Sequence, residues 1–182
     1  MRKGREAATR RHTAAGKAVT DLILEAFRLN GRLLSAGDQL TRDLGLSSAR
    51  WQVMGALDIA GTPPPVAQIA RNMGLTRQSV QRIADVLAAE GWVEFIPNPN
   101  HQRAKLVTLT PRGREVLQEV SRRQIVWANA LAEGVSAAEL AAAVRLMETV
   151  RGRLEHARAI NNRRRHTAPA GKERPDGKRR PD

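Results

Sequence analysis

The block VAQIARNMGLTRQSVQRIADVLAAEGW, Val66 to Trp92, constrains this chain more than any other stretch. Val80, Ile83, Ala84 and Leu87 recur at i, i+3, i+4 and i+7, the period of a helix with one apolar face. Ile69, Ala70, Met73 and Leu75 offer an inward side for that stripe to dock on. Gly74 permits the left-handed backbone that a sharp turn needs, and the small Ala70 permits close approach. Thr76 stands where a helix N-cap belongs. The pattern predicts two helices, Val66 to Met73 and Thr76 to Glu90, in a helix-turn-helix. Gly91 ends the second helix.

Docking the apolar stripe fixes the opposite face. Arg77, Gln78, Gln81 and Arg82 then point outward, with Thr76 and Ser79 at the start of the same helix. Arg and Gln make two-pronged contacts to guanine and adenine edges in a DNA major groove. Residues near the start of a recognition helix are the ones that reach bases. An ordinary solvated helix face is the competing reading. The Gly turn, the stripe and the hairpin signal directly after Trp92 favour DNA contact.

That hairpin reads as a ribbon of two strands. WVEFI, Trp92 to Ile96, has strand composition, PNPN from Pro97 to Asn100 is a turn signal, and AKLVTLT, Ala104 to Thr110, is a second strand candidate. A two-stranded ribbon directly after a helix-turn-helix makes a wing. Arg103 and Lys105 near its tip are placed to meet phosphates or enter a minor groove. A solubilising edge, blunted by Lys, is the alternative for the same residues.

The flanks read as helix. A first helix from Lys17 to Thr41 keeps an i, i+3, i+4 rhythm through Val19, Leu22, Ile23, Ala26, Leu33 and Leu34, weakest at Asn30 and Gly31. Ser47 or Ser48 can cap a second helix through Trp51, Met54 and Leu57, stopped near Gly61. TPPP, Thr62 to Pro65, is a rigid loop. Thr110 and Pro111 open a further helix through Val116, Val120, Trp127 and Leu131, and Gly134 stops it. Ser136 and Glu139 form a capping box ahead of a last helix with Leu140, Val144, Met147 and Leu154. Beyond Ile160 the low-complexity text is expected to be unstructured. Aromatics make up only 3% of the chain, so the core must come from aliphatic side chains, which suits a helical class.

The formal net charge is +13 over 182 residues. Residues 1–17 carry six Lys/Arg against one Glu, and residues 161–182 carry eight against three acids. The 143 residues between hold 17 basic and 14 acidic side chains, so most of the excess lies in the two ends. Such ends attract any polyanion without regard to sequence. The absence of Cys excludes disulfides and thiolate metal sites and agrees with a cytoplasmic location. No apolar run reaches the ~18–20 residues of a membrane span.

The run from about Ser48 to Gly113 resembles the MarR (multiple antibiotic resistance regulator) family of winged helix-turn-helix transcription regulators. The helix-turn-helix block and NPNHQRAKLVTLTPRG carry the resemblance. Arg103 matches the family's wing arginine, and Leu109, Thr110 and Gly113 match the ending of its wing. His101 stands where the family most often has an Asp that orients this arginine. The resemblance implies a mainly α fold with a minor β part. Residues 46–110 are then the winged helix-turn-helix, and 17–45 with 111–160 form a helical dimerisation region. Residues 1–16 and 161–182 are expected to be basic disordered ends. It also implies a homodimer, double-stranded DNA with an inverted-repeat site as partner, and repression as the commoner mode. Family members often bind a small aromatic anion. Arg50, Trp51, Trp127 and the Leu33 to Asp38 region are candidates for holding one, although Trp127 also fits a dimer core.

Catalysis finds little support. His12, His101, His156 and His166 are scattered, and no His/carboxylate spacing fits a metal site. No phosphate-cradling Gly-rich loop occurs, Ser79 lacks the context of a nucleophile, and no cofactor is expected. Two rivals to a sequence-specific regulator are a sequence-indifferent nucleic-acid compactor driven by the basic ends, and a protein-interaction module that lost DNA. The polar recognition face argues against the second rival.

Overall fold

The computed structural model describes residues 12–101 and 103–166. Helix α1 spans Ala14–Thr41, and a short 3-10 turn spans Arg42–Leu44. Helices α2 (Ser48–Ile59), α3 (Val66–Met73) and α4 (Arg77–Ala89) come next. Strands β1 (Val93–Ile96) and β2 (Leu106–Leu109) precede α5 (Pro111–Leu131) and α6 (Ala137–His166). The mainly α winged helix-turn-helix expected from the sequence is the fold observed. Among the described residues, those through Asn129 form one compact unit and those from Ala130 another.

In the first unit, α2, α3 and α4 enclose the core with the ribbon and the start of α5. Val53, Met54, Ile69, Val80, Leu87 and Val107 are almost wholly buried there. The turn between α3 and α4 depends on Gly74, whose φ of 67° lies in the left-handed region. Its N–H donates to the Arg71 carbonyl at 3.2 Å, and that of Leu75 reaches the Ala70 carbonyl at 2.9 Å. This pair of bonds closes α3 in a Schellman motif. Leu75 departs from its expected inward place and is 45% exposed, because the motif spends its backbone on the cap and turns the side chain outward.

Helix α1 begins three residues ahead of the expected Lys17, because the Thr13 hydroxyl accepts from the Gly16 N–H at 3.0 Å. The helix runs unbroken past Asn30 and Gly31. At its end Gly37 lies against α2, where a Cβ would come within 2.6 Å of Ser48 Oγ. Neither serine caps α2 with its own side chain. Asp38 on α1 does so, its Oδ1 accepting from the Ser48 N–H at 2.6 Å.

The ribbon is antiparallel, with Val93 opposite Leu109 and Ile96 opposite Leu106. Both strands are shorter than their sequence windows. The preceding TPPP loop extends the sheet: Pro65 bridges to Leu106, and the Val107 N–H donates to the Pro64 carbonyl at 3.0 Å. That contact ties the wing to the start of α3. The L-T-x-x-G ending is equally local in cause. Thr110 Oγ1 accepts from the Gly113 N–H at 3.0 Å and donates to the Gly91 carbonyl at 2.8 Å. Gly113 sits so close to Trp92 that a Cβ would fall 1.9 Å from its carbonyl oxygen.

In the second unit, α6 opens with the expected capping box. The Ser136 N–H donates to Glu139 Oε2 at 3.0 Å, and the Glu139 N–H to Ser136 Oγ at 3.2 Å. The Ser136 bonds hold the Glu139 carboxyl below the usual carboxylate range. The helix continues to His166, past the Ile160 boundary expected from composition. Residues 1–11 and 167–182, which hold the rest of the expected disordered ends, lie outside the described residues.

Candidate nucleic-acid interface

Helix α4 starts where Thr76 Oγ1 accepts from the Ser79 N–H at 3.1 Å. This cap sets the rotation of the whole helix. Val80, Ala84 and Leu87 turn into the core with no exposed surface. Thr76, Arg77, Gln78, Ser79 and Arg82 are left exposed and Gln81 half-buried. Among the described residues, Arg77, Arg82, Arg103 and Lys105 form no ion pair. No described acid pairs with them.

A groove of about 840 Å³ separates this helix from the wing, with Arg71, Arg77, Gln81, Arg103 and Lys105 among its lining residues. A shallower depression of about 720 Å³ on the other side is lined by Arg77, Gln78, Gln81 and Arg82. The structure thus brings the α4 residues and the two wing cations to one continuous surface. Arg71 was not singled out in the sequence. Its place in the groove depends on α3 lying beside the wing, which the Pro64 and Pro65 contacts bring about.

Asn98 turns the chain at the start of the wing tip through its side chain and its carbonyl. Asn98 Oδ1 accepts from the Asn100 N–H at 3.0 Å, and the His101 N–H donates to the Asn98 carbonyl at 3.2 Å. His101, Arg103 and Lys105 are all exposed. With His101 two residues before it, the Arg103 guanidinium has no carboxylate partner among the described residues.

The residues proposed for a small ligand are arranged differently. Arg50 Nη1 lies 2.9 Å from Glu90 Oε1 and donates to the Gly45 carbonyl at 3.3 Å, both side chains about one-third exposed. It thereby ties the start of α2 to the end of α4. Trp51 is half-buried, and its Nε1 is buried with no hydrogen-bond partner among the described residues. Trp127 is half-buried on α5. Asp38, from the Leu33 to Asp38 region, is occupied in capping α2.

One further cluster left no mark in the sequence pattern. Arg123 on α5 pairs with Asp43 through Nη1–Oδ1 at 2.6 Å and Nη2–Oδ2 at 2.9 Å, and with Glu119 through Nε–Oε1 at 2.8 Å. It also reaches the Leu40 carbonyl at 3.2 Å. The Arg123 hydrogen bonds hold Asp43 below the usual carboxylate range, and those of Arg123 and then Arg122 do the same for Glu119. In return Asp43 and Glu119 raise the Arg123 guanidinium further. Among the described residues no group of acids, His and Cys is placed to hold a metal ion. None of the described helices is long and apolar enough to cross a membrane.

Comparison with known proteins gives a consistent picture. The MarR family profile matches residues 44–104. An uncharacterized protein of Mycobacterium tuberculosis is 40% identical over 125 residues, covering 68% of this chain and 85% of its own length. The multiple antibiotic resistance protein MarR of Salmonella typhimurium is 30% identical over 115 residues, covering 59% of this chain and 78% of its own. Among solved structures, the fold matches the transcriptional repressor CouR bound to a 23-mer DNA duplex. Its TM-score is 0.64 at 20% identity, covering 77% of this chain and 99% of that one.

Proposed function

This chain belongs to the MarR family, whose members regulate transcription, and on that premise we propose that it is a sequence-specific DNA-binding regulator acting as a homodimer. One observation carries the reading. Arg77, Gln78, Gln81 and Arg82 project from the capped start of α4, and the cations among them form no ion pair among the described residues. Thr76 and Ser79 stand at the helix N-terminus, where backbone N–H groups favour a phosphate. Arg103 and Lys105 on the wing would hold flanking phosphates, and phosphate contacts set register while base contacts set sequence.

The homodimer is supported by apolar surface. Phe27 on α1 is 71% exposed, and Val126 on α5 is equally so. On α6, Leu140, Val144, Met147 and Leu154 are all exposed. A second copy covering these faces would account for them, with 17–45 and 111–160 as the dimerisation region. Two-fold symmetry then implies an inverted repeat with half-sites about 34–36 Å apart. Repression is the mode we favour, as the commoner one in the family. A small aromatic effector acting near Trp51 and Trp127 would release DNA if it bound the DNA-incompetent state more tightly. Arg50 would have to give up Glu90 to join such a site.

A binding selection from a randomised duplex pool at near-physiological salt tests the reading. An enriched inverted repeat is the expected result. Tight binding with no enrichment would instead favour the compactor driven by the basic ends.

A further inference from the structure

Arg77 and Gln81 line both the groove toward the wing and the depression on the other side of α4. Gln81 is therefore central to the surface offered to DNA. Its side chain is not free. Gln81 Nε2 donates to Asp85 Oδ1 at 2.8 Å, one helical turn away. Gln78, by contrast, has no side-chain hydrogen bond among the described residues. Asp85 is exposed and is the one acid among the lining residues of the wing-side groove, which otherwise presents Arg71, Arg77, Arg103 and Lys105. An acid in a groove meant for phosphates calls for a role that outweighs its repulsion.

A carboxylate accepts hydrogen bonds and donates none. Facing Asp85, the Gln81 amide must present its nitrogen, so the choice between its two flipped orientations is made by chemistry. One Nε2 hydrogen is then committed. What remains for DNA is one N–H donor and the carbonyl Oε1 as acceptor. Adenine presents the matching pair in the major groove, N7 as acceptor and the N6 amino group as donor. Guanine presents two acceptors there, N7 and O6. Satisfying both from one amide would take both Nε2 hydrogens, and Asp85 holds one.

We infer that Asp85 is a specificity-positioning residue that locks the Gln81 amide in the orientation that reads adenine and rejects guanine. The inference rests on the reading of α4 as the recognition helix. Asp85 need touch no base; it acts through Gln81.

The test is the same randomised-pool selection run on the unsubstituted protein, Asp85→Asn, Asp85→Glu and Gln81→Ala. Asn keeps the size of Asp but can donate as well as accept, so it releases the lock. Glu keeps a carboxylate that only accepts. The unsubstituted protein and Asp85→Glu are expected to enrich adenine over guanine at one position per half-site, by about fivefold or more for a two-pronged contact. Asp85→Asn and Gln81→Ala are expected to lose that preference at the same position and keep the rest of the site. Adding Asp85→Asn to Gln81→Ala should then change nothing further there. Equal thermal unfolding of Asp85→Asn and the unsubstituted protein checks that the helix is intact. If Asp85→Asn binds all sequences more tightly and keeps the adenine, the acid acts only as a charge and the inference is overturned. If the unsubstituted protein enriches no site, the recognition-helix reading fails and takes this inference with it.

Discussion

Two regions of this molecule present side chains to water, and they differ in kind. The start of α4 and the wing expose Arg and Gln, and the arginines there form no ion pair among the described residues. Helices α1, α5 and α6 expose Phe27, Val126 and Leu154 instead. The first kind of exposure costs little in water and is useful only against an anionic, hydrogen-bonding partner. The second kind is unfavourable in water, by roughly 25 cal/mol for each Å² left uncovered, and calls for an apolar partner. One chain therefore asks for two partners of opposite chemistry, DNA for one region and a second copy for the other.

Substitutions can separate the two regions. Phe27→Asp should have the largest effect. It would place an unpaired charge in the proposed dimer interface, at a cost on the order of several kcal/mol, and sedimentation should show a folded monomer. A dimer of unchanged strength would remove α1 from the interface. Gly113→Ala comes next, since its Cβ would collide with the Trp92 carbonyl. Overpacking of this kind costs about 1–3 kcal/mol or more, to be read as a lower urea midpoint of the first unit. Arg82→Ala should leave both dimer and stability intact and lose about 1–3 kcal/mol of base discrimination. Arg103→Ala is expected to weaken binding nearly uniformly across sequences. It should lower the salt slope by about one unit, measured by titration at several salt concentrations.

The smallest effect concerns pH. Asp43 and Glu119 have folded values below their ordinary 3.8 and 4.5. Such groups add stability that is fully present above those ordinary values and is lost as pH falls through the depressed folded values. Acid unfolding in that window should begin at higher pH when Arg123 is replaced by Met. An identical acid limb would show the cluster to be without consequence for stability.

What was legible in the sequence was what neighbouring residues decide. The apolar period of α4, the Thr76 cap, the Gly74 turn and the Thr110–Gly113 ending all act within a few positions, and each appears where expected. Partners distant along the chain left no local signal. Arg50 meets Glu90 forty residues on, and Asp43 meets Arg123 eighty residues on. Even the α2 cap came from Asp38, ten residues back, rather than from the serines at the helix start. Composition set the end of α6 at Ile160, whereas the helix runs to His166. The polar face of α4 was readable from the sequence, while the lock on Gln81 emerged only once the Asp85 carboxylate could be placed beside it.

Base reading by α4 is the property on which the proposed function depends. The most direct measurement compares affinities of the unsubstituted protein and Arg82→Ala for the selected duplex and a scrambled one, at about 0.15 M salt. The expected result is a strong preference for the selected duplex that shrinks by roughly tenfold in the variant, with affinity for scrambled DNA little changed. Equal loss on both duplexes would contradict base reading and leave Arg82 as one more phosphate contact.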